Sequence, residues 1–514
     1  VQNDPANWES EMKNWSRLVV GAARSMLVAL AVVACCHGAP PCAAQETGDA
    51  VTLLLEYRGD RGTFQRFDSV FQTGRRHEGG GSTIEFSFER KAKTNVYVFD
   101  VGEDGAFSVC GEVAHDAAVL KSIEKNGRKP DLADIQLVEQ QLPKPSIELV
   151  CYRMTKWGMP ADKTPPSDLP SAVIRALSAI EQLPARPVKV GETWVREEDM
   201  DLVKSRCEFV FKGIEQKNGL ECALIEGKTT IECKFVRPGA TASFENGDSR
   251  MWFAVKEGHP VLVEGKITFR TDAGGRKEDL TLSSRVEFIE TQKVGADKHA
   301  KLAKEAALLS AADELLREGT LDIAYTSLAG FQQEHKDSPW IGCVSSMVRN
   351  IETELPLLLK EAPELEIGEW LVPLPAKGSG TVVPKNPVPP LQSLRGKVVL
   401  IDFWATWCPP CKETIPALGA LHETYSAKDL VIIGVTAVDQ KQTLEDMKKY
   451  VGDNKIKYSI GVDSPARGTA LAFGVRGIPT AFLLDRNGRV RWQGSPGRGT
   501  RLEAAIQRLL QENR

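Results

Sequence analysis

A buried strand that leads directly into a Cys-x-x-Cys motif is the feature that most constrains how this chain folds. The apolar run at 398–405 is followed by Trp407 and then by Cys408-Pro-Pro-Cys411. If a helix begins at the motif, its two sulfurs meet across one helical turn, and Cys408 lies at the helix N-terminus. Unpaired N–H groups and the helix dipole favour a thiolate there, and proline is tolerated in a first turn. The motif therefore predicts a redox-active dithiol.

A zinc site is the main alternative for such a motif. Zinc needs further ligands, which commonly come from a second Cys-x-x-Cys or from a nearby Cys/His pair. Neither of these follows Cys411. We therefore expect a redox motif that needs no metal and no other cofactor.

These residues resemble the thioredoxin superfamily, and more closely its extracytoplasmic TlpA-like branch. The resemblance rests on 402–411 and on 473–480, and the segments 362–365 and 394–397 are similar to the family's lead-in. It covers 362–514, which is under a third of the chain. It implies a central mixed β-sheet flanked by helices.

The resemblance also implies roles for individual residues. Cys408 would be the exposed nucleophile, and Cys411 would be the buried resolving thiol. Pro479 would be a cis-proline facing the disulfide. Asp402 occupies the position of the family's buried proton-transfer carboxylate. The lysine that thioredoxin carries on its next strand is absent from 431–435.

Substrate contacts are predicted on both sides of the motif. The resemblance places Trp407, Gly477 and Ile478 at substrate-binding positions. Ile478 would present backbone groups to an extended substrate strand. The residue after Cys408 is Pro409, where thioredoxin has glycine, and this leaves the redox potential open.

The residues support two of these assignments without the family. Pro479 directly precedes the apolar run at 480–484, and proline is permitted at the start of a strand. Asp402 lies inside an apolar run, where an unpaired charge is unfavourable. We therefore expect its pKa to be raised or its carboxyl group to be hydrogen-bonded. The alternative is an ordinary strand-end aspartate that faces solvent.

The N-terminal segment 1–45 is typical of an export signal. Basic residues precede the apolar run at 26–34, which is too short to span a bilayer. Cleavage before Gln45, lipid attachment at Cys35 and an uncleaved anchor all remain open. Each of them predicts a periplasmic or otherwise extracytoplasmic protein, in which structural disulfides are permitted.

The chain of 514 residues has a net charge of −4, so charge gives no indication of a nucleic-acid partner. Its length suggests several domains. We predict a multidomain protein with a mostly antiparallel β-rich domain of unknown function at 46–292, folded as a curved sheet or open barrel. A short α-helical, tetratricopeptide-like spacer would follow at 296–361, and a C-terminal α/β thioredoxin-like domain at 362–514.

Within the β-rich domain we predict short strands, a helix at 169–183 and a hairpin around Gly227 and Lys228. That hairpin would set Cys222 opposite Cys233, and we favour two buried thiols there over a bridge. Cys110 and Cys151 are interpreted as separate core residues. The short strands are expected at 51–57, 83–88, 96–99, 204–213, 261–263 and 285–289.

Apolar periodicity predicts helices at 301–318 and at 321–334, and Pro339 should open a third helix that ends near Pro356. The proline-rich stretch at 371–390 is expected to be an exposed insertion.

Together these features predict a thiol–disulfide oxidoreductase acting on exported protein disulfides, more often as a reductant, with a possible membrane electron donor. A second hypothesis is an extracytoplasmic ligand- or partner-binding protein whose β-rich domain is under redox control. A thiol peroxidase fits less well, because Cys408 does not follow the Pro-x-x-x-Thr-x-x segment of such enzymes.

Overall fold

The structure is a computed structural model that describes residues 45–47, 50–57, 61–79, 81–157, 183–199, 203–233, 240–244, 247–273, 276–374, 391–496 and 500–512. These residues divide into two compact units. The first unit holds the described residues through Ser310 together with His335–Cys343, and the second holds those of Ala311–Glu334 and Val344–Arg514. The predicted signal segment with Cys35, the helix predicted at 169–183 except its last residue, and residues 375–390 of the proline-rich stretch lie outside the described residues.

The first unit consists mainly of long β-strands, and one helix, α1 (Leu132–Gln141), lies between its sixth and seventh strands. Its strands are β1 (Gln45–Thr47), β2 (Ala50–Leu53), β3 (Thr63–Gly79), β4 (Ser82–Val101), β5 (Phe107–His115), β6 (Val119–Lys125), β7 (Ser146–Met154), β8 (Val188–Lys189), β9 (Thr193–Asp199), β10 (Val203–Lys217), β11 (Leu220–Cys233), β12 (Ala240–Phe244), β13 (Gly247–Ala254), β14 (His259–Ala273) and β15 (Arg276–Lys293).

Twelve of these strands form one sheet in the order β7-β5-β4-β3-β15-β14-β13-β11-β10-β9, with β6 on β4 and β12 on β14. Burial alternates along β3, where Phe67 and Phe71 face a single core. That core also contains Val150 from β7 and Trp194 from β9. Because β7 and β9 are the two ends of the order, the sheet must curve around the core. No pairing between them is present in the described residues, so the sheet is curved and open.

Most of the strands are longer than the sequence analysis predicted, although the strand predicted at 51–57 ends at Leu53. The hairpin predicted around Gly227 is wrong. Strand β11 runs through this glycine and is paired on both sides of it. The chain turns instead at Asn218 and Gly219, whose φ angles are 51° and 79°. Asn-Gly suits this turn because both central residues need positive φ. Cys222 and Cys233 therefore lie on one strand and cannot face each other.

The three predicted helices are present: α2 (Ala296–Glu318), α3 (Leu321–Glu334) and α4 (Ile341–Glu354). Gly319 has a φ of 81° and separates the first two, which is the usual role of glycine after a helix. The predicted apolar stripes are largely buried, at Ala306 and Leu309 on α2 and at Ala324 and Leu328 on α3. None of the helices in the described ranges is both long enough and apolar enough to cross a membrane.

The second unit contains the mixed sheet that the resemblance implied. The strand order is β16-β19-β18-β17-β20-β21, in which β17, β18 and β19 are parallel and the other pairs are antiparallel. The elements are β16 (Ile367–Val372), β17 (Val398–Phe403), α5 (Pro409–Tyr425), β18 (Leu430–Thr436), α6 (Leu444–Asp453), β19 (Ser459–Asp463), α7 (Gly468–Ala472), β20 (Thr480–Leu484), β21 (Val490–Gly494) and α8 (Thr500–Gln511).

Strand β17 is buried on both faces, and its alternating residues enter two different cores. Val399, Ile401 and Phe403 pack into one core. Val398 and Leu400 pack into the other, which also contains Cys408 and Cys411. The continuous apolar run is therefore explained by a central strand covered on both sides.

A buried carboxylate joins α3 to the end of the thioredoxin-like sheet. Asp322 is only 1% exposed. Its Oδ2 accepts a 2.6 Å hydrogen bond from Nε of Arg491 on β21, and its Oδ1 accepts one of 2.9 Å from Nη2 of Arg508 on α8. A buried charge is tolerated only when it is paired in this way.

We expect Asp322→Ala to lower the free energy of unfolding by about 3 kcal/mol, because it leaves two partly buried guanidinium groups without this carboxylate. The matched control is Glu423→Ala. Glu423 pairs with Lys457 at 2.7 Å, but both side chains are more than 60% exposed, so the expected loss of stability is much smaller. Urea denaturation measures both values, and equal losses would contradict the prediction.

Candidate active site

The motif cysteines form a disulfide at the start of α5. Cys408 is the N-cap residue, and the backbone N–H of Cys411 donates a hydrogen bond to the Cys408 Sγ at 3.2 Å. The Cα atoms are 5.3 Å apart, within the usual range for a disulfide. Cys408 is 3% exposed and Cys411 is 0% exposed. Both cysteines are therefore buried, and the exposed position that the resemblance implied for Cys408 is not observed in this disulfide form.

Asp402 lies on the same face of β17 as Leu400, beneath the motif. It is 0% exposed, and neither carboxyl oxygen has a hydrogen-bond partner among the described residues. Burial raises the pKa of Asp402 to about 7. This agrees with the expectation of a raised pKa, and it excludes the alternative of an aspartate facing solvent. A carboxyl group with this pKa can gain or lose a proton near neutral pH.

Gly434 explains how Asp402 can be buried without a lysine beside it. Asp402 pairs directly with Gly434 on β18, which pairs in turn with Ile460 on β19. A Cβ at Gly434 would lie 2.6 Å from Ile460 Cδ1 and 3.0 Å from Trp404 Nε1. The indole and the isoleucine therefore pack directly against Gly434, the neighbour of Asp402 in the sheet, and only glycine allows their close approach.

Tyr458 is a second buried polar group near Asp402 that the sequence analysis did not identify. It is 1% exposed, and its hydroxyl group has no hydrogen-bond partner in the part of the chain that the structure describes. Burial, together with the nearby Asp402 carboxyl, raises the pKa of Tyr458. No local pattern in the sequence distinguishes this tyrosine from an ordinary core residue.

The peptide bond between Ile478 and Pro479 is cis, as predicted. Pro479 precedes β20, where Thr480 pairs with Phe403 at the end of β17. This register brings the proline to the edge of the sheet from which the motif loop begins. Gly477 beside it is exposed, and Ile478 is half-buried.

Trp407 lies at the surface next to Cys408, with 38% of its area exposed. Its Nε1 donates a 3.0 Å hydrogen bond to Oδ2 of Asp439. The Lys441 ammonium lies 4.6 Å from the centre of the indole ring, a distance typical of a cation–π contact. The Trp407 ring is therefore held in place while one side of it stays accessible.

Gln442 holds the loop before the motif, and the sequence analysis missed it. This residue is only 2% exposed. Its Oε1 accepts hydrogen bonds from both the backbone N–H and the hydroxyl of Thr406, at 2.8 and 2.7 Å. Its Nε2 donates to Oγ1 of Thr436 and to the carbonyl of Ala437, at 3.1 and 2.6 Å.

The described residues contain no cluster of side chains suited to a metal ion.

The raised pKa of Asp402 predicts how stability depends on pH. Between about pH 4 and pH 7 the folded state binds the proton more tightly than the unfolded state, so the free energy of unfolding falls as pH rises. Asp402→Asn has no titrating group at this position, so it removes this pH-dependent fall in the free energy of unfolding. We expect its stability advantage over the wild type to grow by about 3 kcal/mol between pH 4.5 and pH 8.

Urea denaturation of the two oxidised proteins at both pH values measures this difference. Asp453→Asn is the control, because that side chain is 63% exposed. Its stability should follow the pH dependence of the wild type. An advantage of Asp402→Asn that does not change with pH would contradict the prediction.

Gln442→Ala should lower the free energy of unfolding by about 2–3 kcal/mol, since it leaves several buried polar groups without a partner. Gln440→Ala, at an exposed position in the same loop, should change it by less than about 0.5 kcal/mol. Urea denaturation compares the two variants. A similar small effect of both would show that Gln442 does not hold the loop.

The comparisons with known proteins concern this same part of the chain. Residues 388–493 match the AhpC/TSA family. Over 102 residues, the chain is 35% identical to thiol-disulfide oxidoreductase ResA of Bacillus thuringiensis (strain Al Hakam), which covers 20% of this chain and 56% of ResA. It is 30% identical over 101 residues to thioredoxin-like protein YneN of Bacillus subtilis (strain 168), and this match covers 20% of this chain and 58% of YneN. The chain thus spans little more than half the length of these curated relatives.

A solved structure is also similar. The thiol:disulfide interchange protein of the thioredoxin family from Chlorobium tepidum TLS is 24% identical, and the match covers 29% of this chain and 95% of that chain with a TM-score of 0.24. The mixed sheet, the cis-proline and the disulfide at a helix N-terminus agree with the family match to residues 388–493. The C-terminal region of this chain therefore contains a thioredoxin-like domain of the AhpC/TSA family, related in sequence to thiol-disulfide oxidoreductases.

Proposed function

We propose that this protein is a thiol–disulfide oxidoreductase that acts on exported protein disulfides through Cys408 and Cys411. The observation that carries the proposal is the disulfide at the N-terminus of α5, above a buried carboxyl group. The sequence similarity to thiol-disulfide oxidoreductase ResA supports it.

The reaction begins with the reduced motif. The helix N-terminus and the N–H of Cys411 stabilise a thiolate at Cys408. This thiolate attacks one sulfur of a substrate disulfide and forms a mixed disulfide, while the other substrate sulfur leaves as a thiolate.

Cys411 then resolves the intermediate. Its thiol loses a proton, which Asp402 is suited to accept because its pKa lies near neutrality. The new thiolate attacks Cys408, forms the Cys408–Cys411 disulfide and releases the second substrate sulfur. The substrate gains two electrons and two protons, and the motif loses the same number.

The surface next to Cys408 is suited to an extended peptide. The half-exposed ring of Trp407 lies on one side, and the backbone of Gly477 and Ile478 precedes β20 on the other. We infer that the substrate strand pairs with this backbone. Pro479 would then separate the substrate from the core.

We further propose that the protein works outside the cytoplasm and as a reductant rather than an oxidant. An electron donor then restores the dithiol, and a membrane protein is the candidate for this donor. The apolar segment near the N-terminus supports export, and Cys35 is a candidate lipid anchor. The tetratricopeptide-like spacer remains part of this proposal. A single helical unit of that kind is more suited to packing than to peptide binding.

The alternative of a binding protein depends on the first unit. A cavity of about 570 Å³ lies across the strands of the curved sheet. Half of the residues that line it are charged. The charged lining residues are Glu208, Glu226, Lys228, Asp248, Arg250, Glu264, Lys266 and Arg285.

Two cysteine variants test the proposed function. Cys408→Ser should abolish the reduction of insulin disulfides, because the attacking sulfur is lost. Cys411→Ser should retain the first attack and accumulate covalent adducts with substrates, because the resolving sulfur is lost. Turbidity of insulin and non-reducing gel electrophoresis followed by mass spectrometry measure these outcomes.

Cys222→Ser is the matched control, because that cysteine is buried in the first unit. Its activity should equal that of the wild type. If iodoacetamide labels Cys411 faster than Cys408 in the reduced protein, the roles of the two cysteines are reversed. Insulin reduction by Cys408→Ser at the wild-type rate would refute the function.

A further inference from the structure

Two cysteines of the first unit meet across neighbouring strands, although they are 41 residues apart in sequence. Cys110 on β5 and Cys151 on β7 are directly opposite each other in the antiparallel register. Their Sγ atoms are 3.0 Å apart. The sequence analysis treated each as a separate core residue, because nothing local in the sequence indicates the pairing of these strands.

The geometry suits a covalent bond. Directly opposed residues of an antiparallel pair have Cα atoms about 4.5 or 5.5 Å apart, and both distances fall within the range of disulfides. The two sulfurs already lie between these strands and need to approach by only about 1 Å to reach the bond length of about 2.05 Å. A bridge here therefore needs no rearrangement of the sheet.

The pair lies on the face of the sheet that is turned away from the main core. Val109 and Val150, the neighbours in sequence, belong to that core, so the cysteines point to the other side. Cys110 lies opposite Tyr97 on β4, whose hydroxyl group forms a 2.6 Å hydrogen bond with Nδ1 of His299.

Both cysteines are enclosed, with 0% of Cys110 and 4% of Cys151 exposed. Strand β7 is the end of the strand order and pairs only with β5 in the described sheet. Edge strands open more readily than central ones, so the thiols can react during folding or when β7 separates. After the strand closes, reductants have little access.

Two further buried thiols of this unit make contacts of a different kind. The Sγ of Cys207 lies 3.3 Å from Oγ1 of Thr229, and the Sγ of Cys222 lies 3.6 Å from the carbonyl of Leu220. Cys110 and Cys151 instead contact each other through their sulfur atoms.

We propose that Cys110 and Cys151 form a structural disulfide that fastens the edge strand β7 to the sheet and stays oxidised while the Cys408–Cys411 pair cycles. In its formation the two thiols lose two protons and two electrons. A small-molecule disulfide such as oxidised glutathione accepts them and becomes two thiols. One cysteine first forms a mixed disulfide with it, and the second cysteine then displaces the glutathione thiolate.

The test uses the full chain, reduced in denaturant and refolded with reduced and oxidised glutathione. Thiols are then alkylated with iodoacetamide in denaturant, and the digested protein is analysed by mass spectrometry without reduction. We expect a linked pair of peptides containing Cys110 and Cys151, lighter than the separate peptides by two hydrogen atoms, while Cys222 is alkylated. Recovery of Cys110 and Cys151 as alkylated thiols, like Cys222, would overturn the proposal.

A second measurement distinguishes a structural bridge from a redox-active one. The refolded protein is treated with dithiothreitol in native buffer, and both disulfides are followed over time. Reduction of Cys110–Cys151 should be about tenfold or more slower than that of Cys408–Cys411, because it requires opening of β7. Equal rates would overturn the structural role, and this result is independent of whether the motif acts on proteins.

Stability gives a third readout. Full reduction should lower the urea midpoint of the first unit in the wild type but not in Cys110→Ala/Cys151→Ala, which cannot form the bridge. Cys222→Ala is the control and should respond like the wild type. If the double variant does not fold, the mass spectrometry of the wild-type chain decides. An equal shift in the double variant would contradict the proposal.

Discussion

Strand β17 is buried on both faces, and the position of every part of the candidate site depends on this. One row of its side chains fills the core on one side of the sheet, and the other row lies in the core that contains the motif cysteines. Helix α5 begins shortly after the end of this strand, so the disulfide lies at a helix N-terminus directly above the sheet. Pairing with β20 brings the cis-proline to the same edge. The buried central strand thus places the sheet, the start of α5 and the cis-proline around the motif.

The polar groups around this site are of two kinds. Asp402 has no hydrogen-bond partner among the described residues, and its burial keeps its pKa near neutrality, which suits the proton exchange proposed with Cys411. Gln442 is the opposite case, because all of its polar atoms are paired and hold the motif loop. The site combines a fixed backbone with a carboxyl group that can change its charge. Both properties come from burial. Gln442 is buried with hydrogen bonds to the motif loop, and Asp402 is buried without hydrogen bonds from the described residues.

The first unit has a fold of its own, a curved, open antiparallel sheet that surrounds one core. Its side chains show no arrangement in the described residues that suggests redox chemistry, apart from the sulfur pair on β5 and β7. That pair lies on an edge strand, where a cross-link restrains the part of a sheet that has the fewest neighbours. The cysteines of the two units therefore suit different tasks, one pair at a helix N-terminus, as the proposed exchange requires, and the other between neighbouring strands, which a bridge would hold together.

The sequence by itself determined the redox motif and the helices at 301–334, because these depend on local signals: the spacing of Cys408 and Cys411 and the helical periodicity. The mixed sheet and the cis bond before Pro479 were expected from the resemblance to the thioredoxin superfamily. The sequence misled at Gly227, because glycine occurs both in turns and inside strands. The pair Asn218-Gly219 is the stronger indication of a turn. Only the tertiary structure decided that Gln442 holds the motif loop, that Tyr458 lies near Asp402 and that Cys110 faces Cys151. These contacts join residues far apart in sequence, and the pairing of distant strands is set by the packing of the whole core rather than by any local pattern.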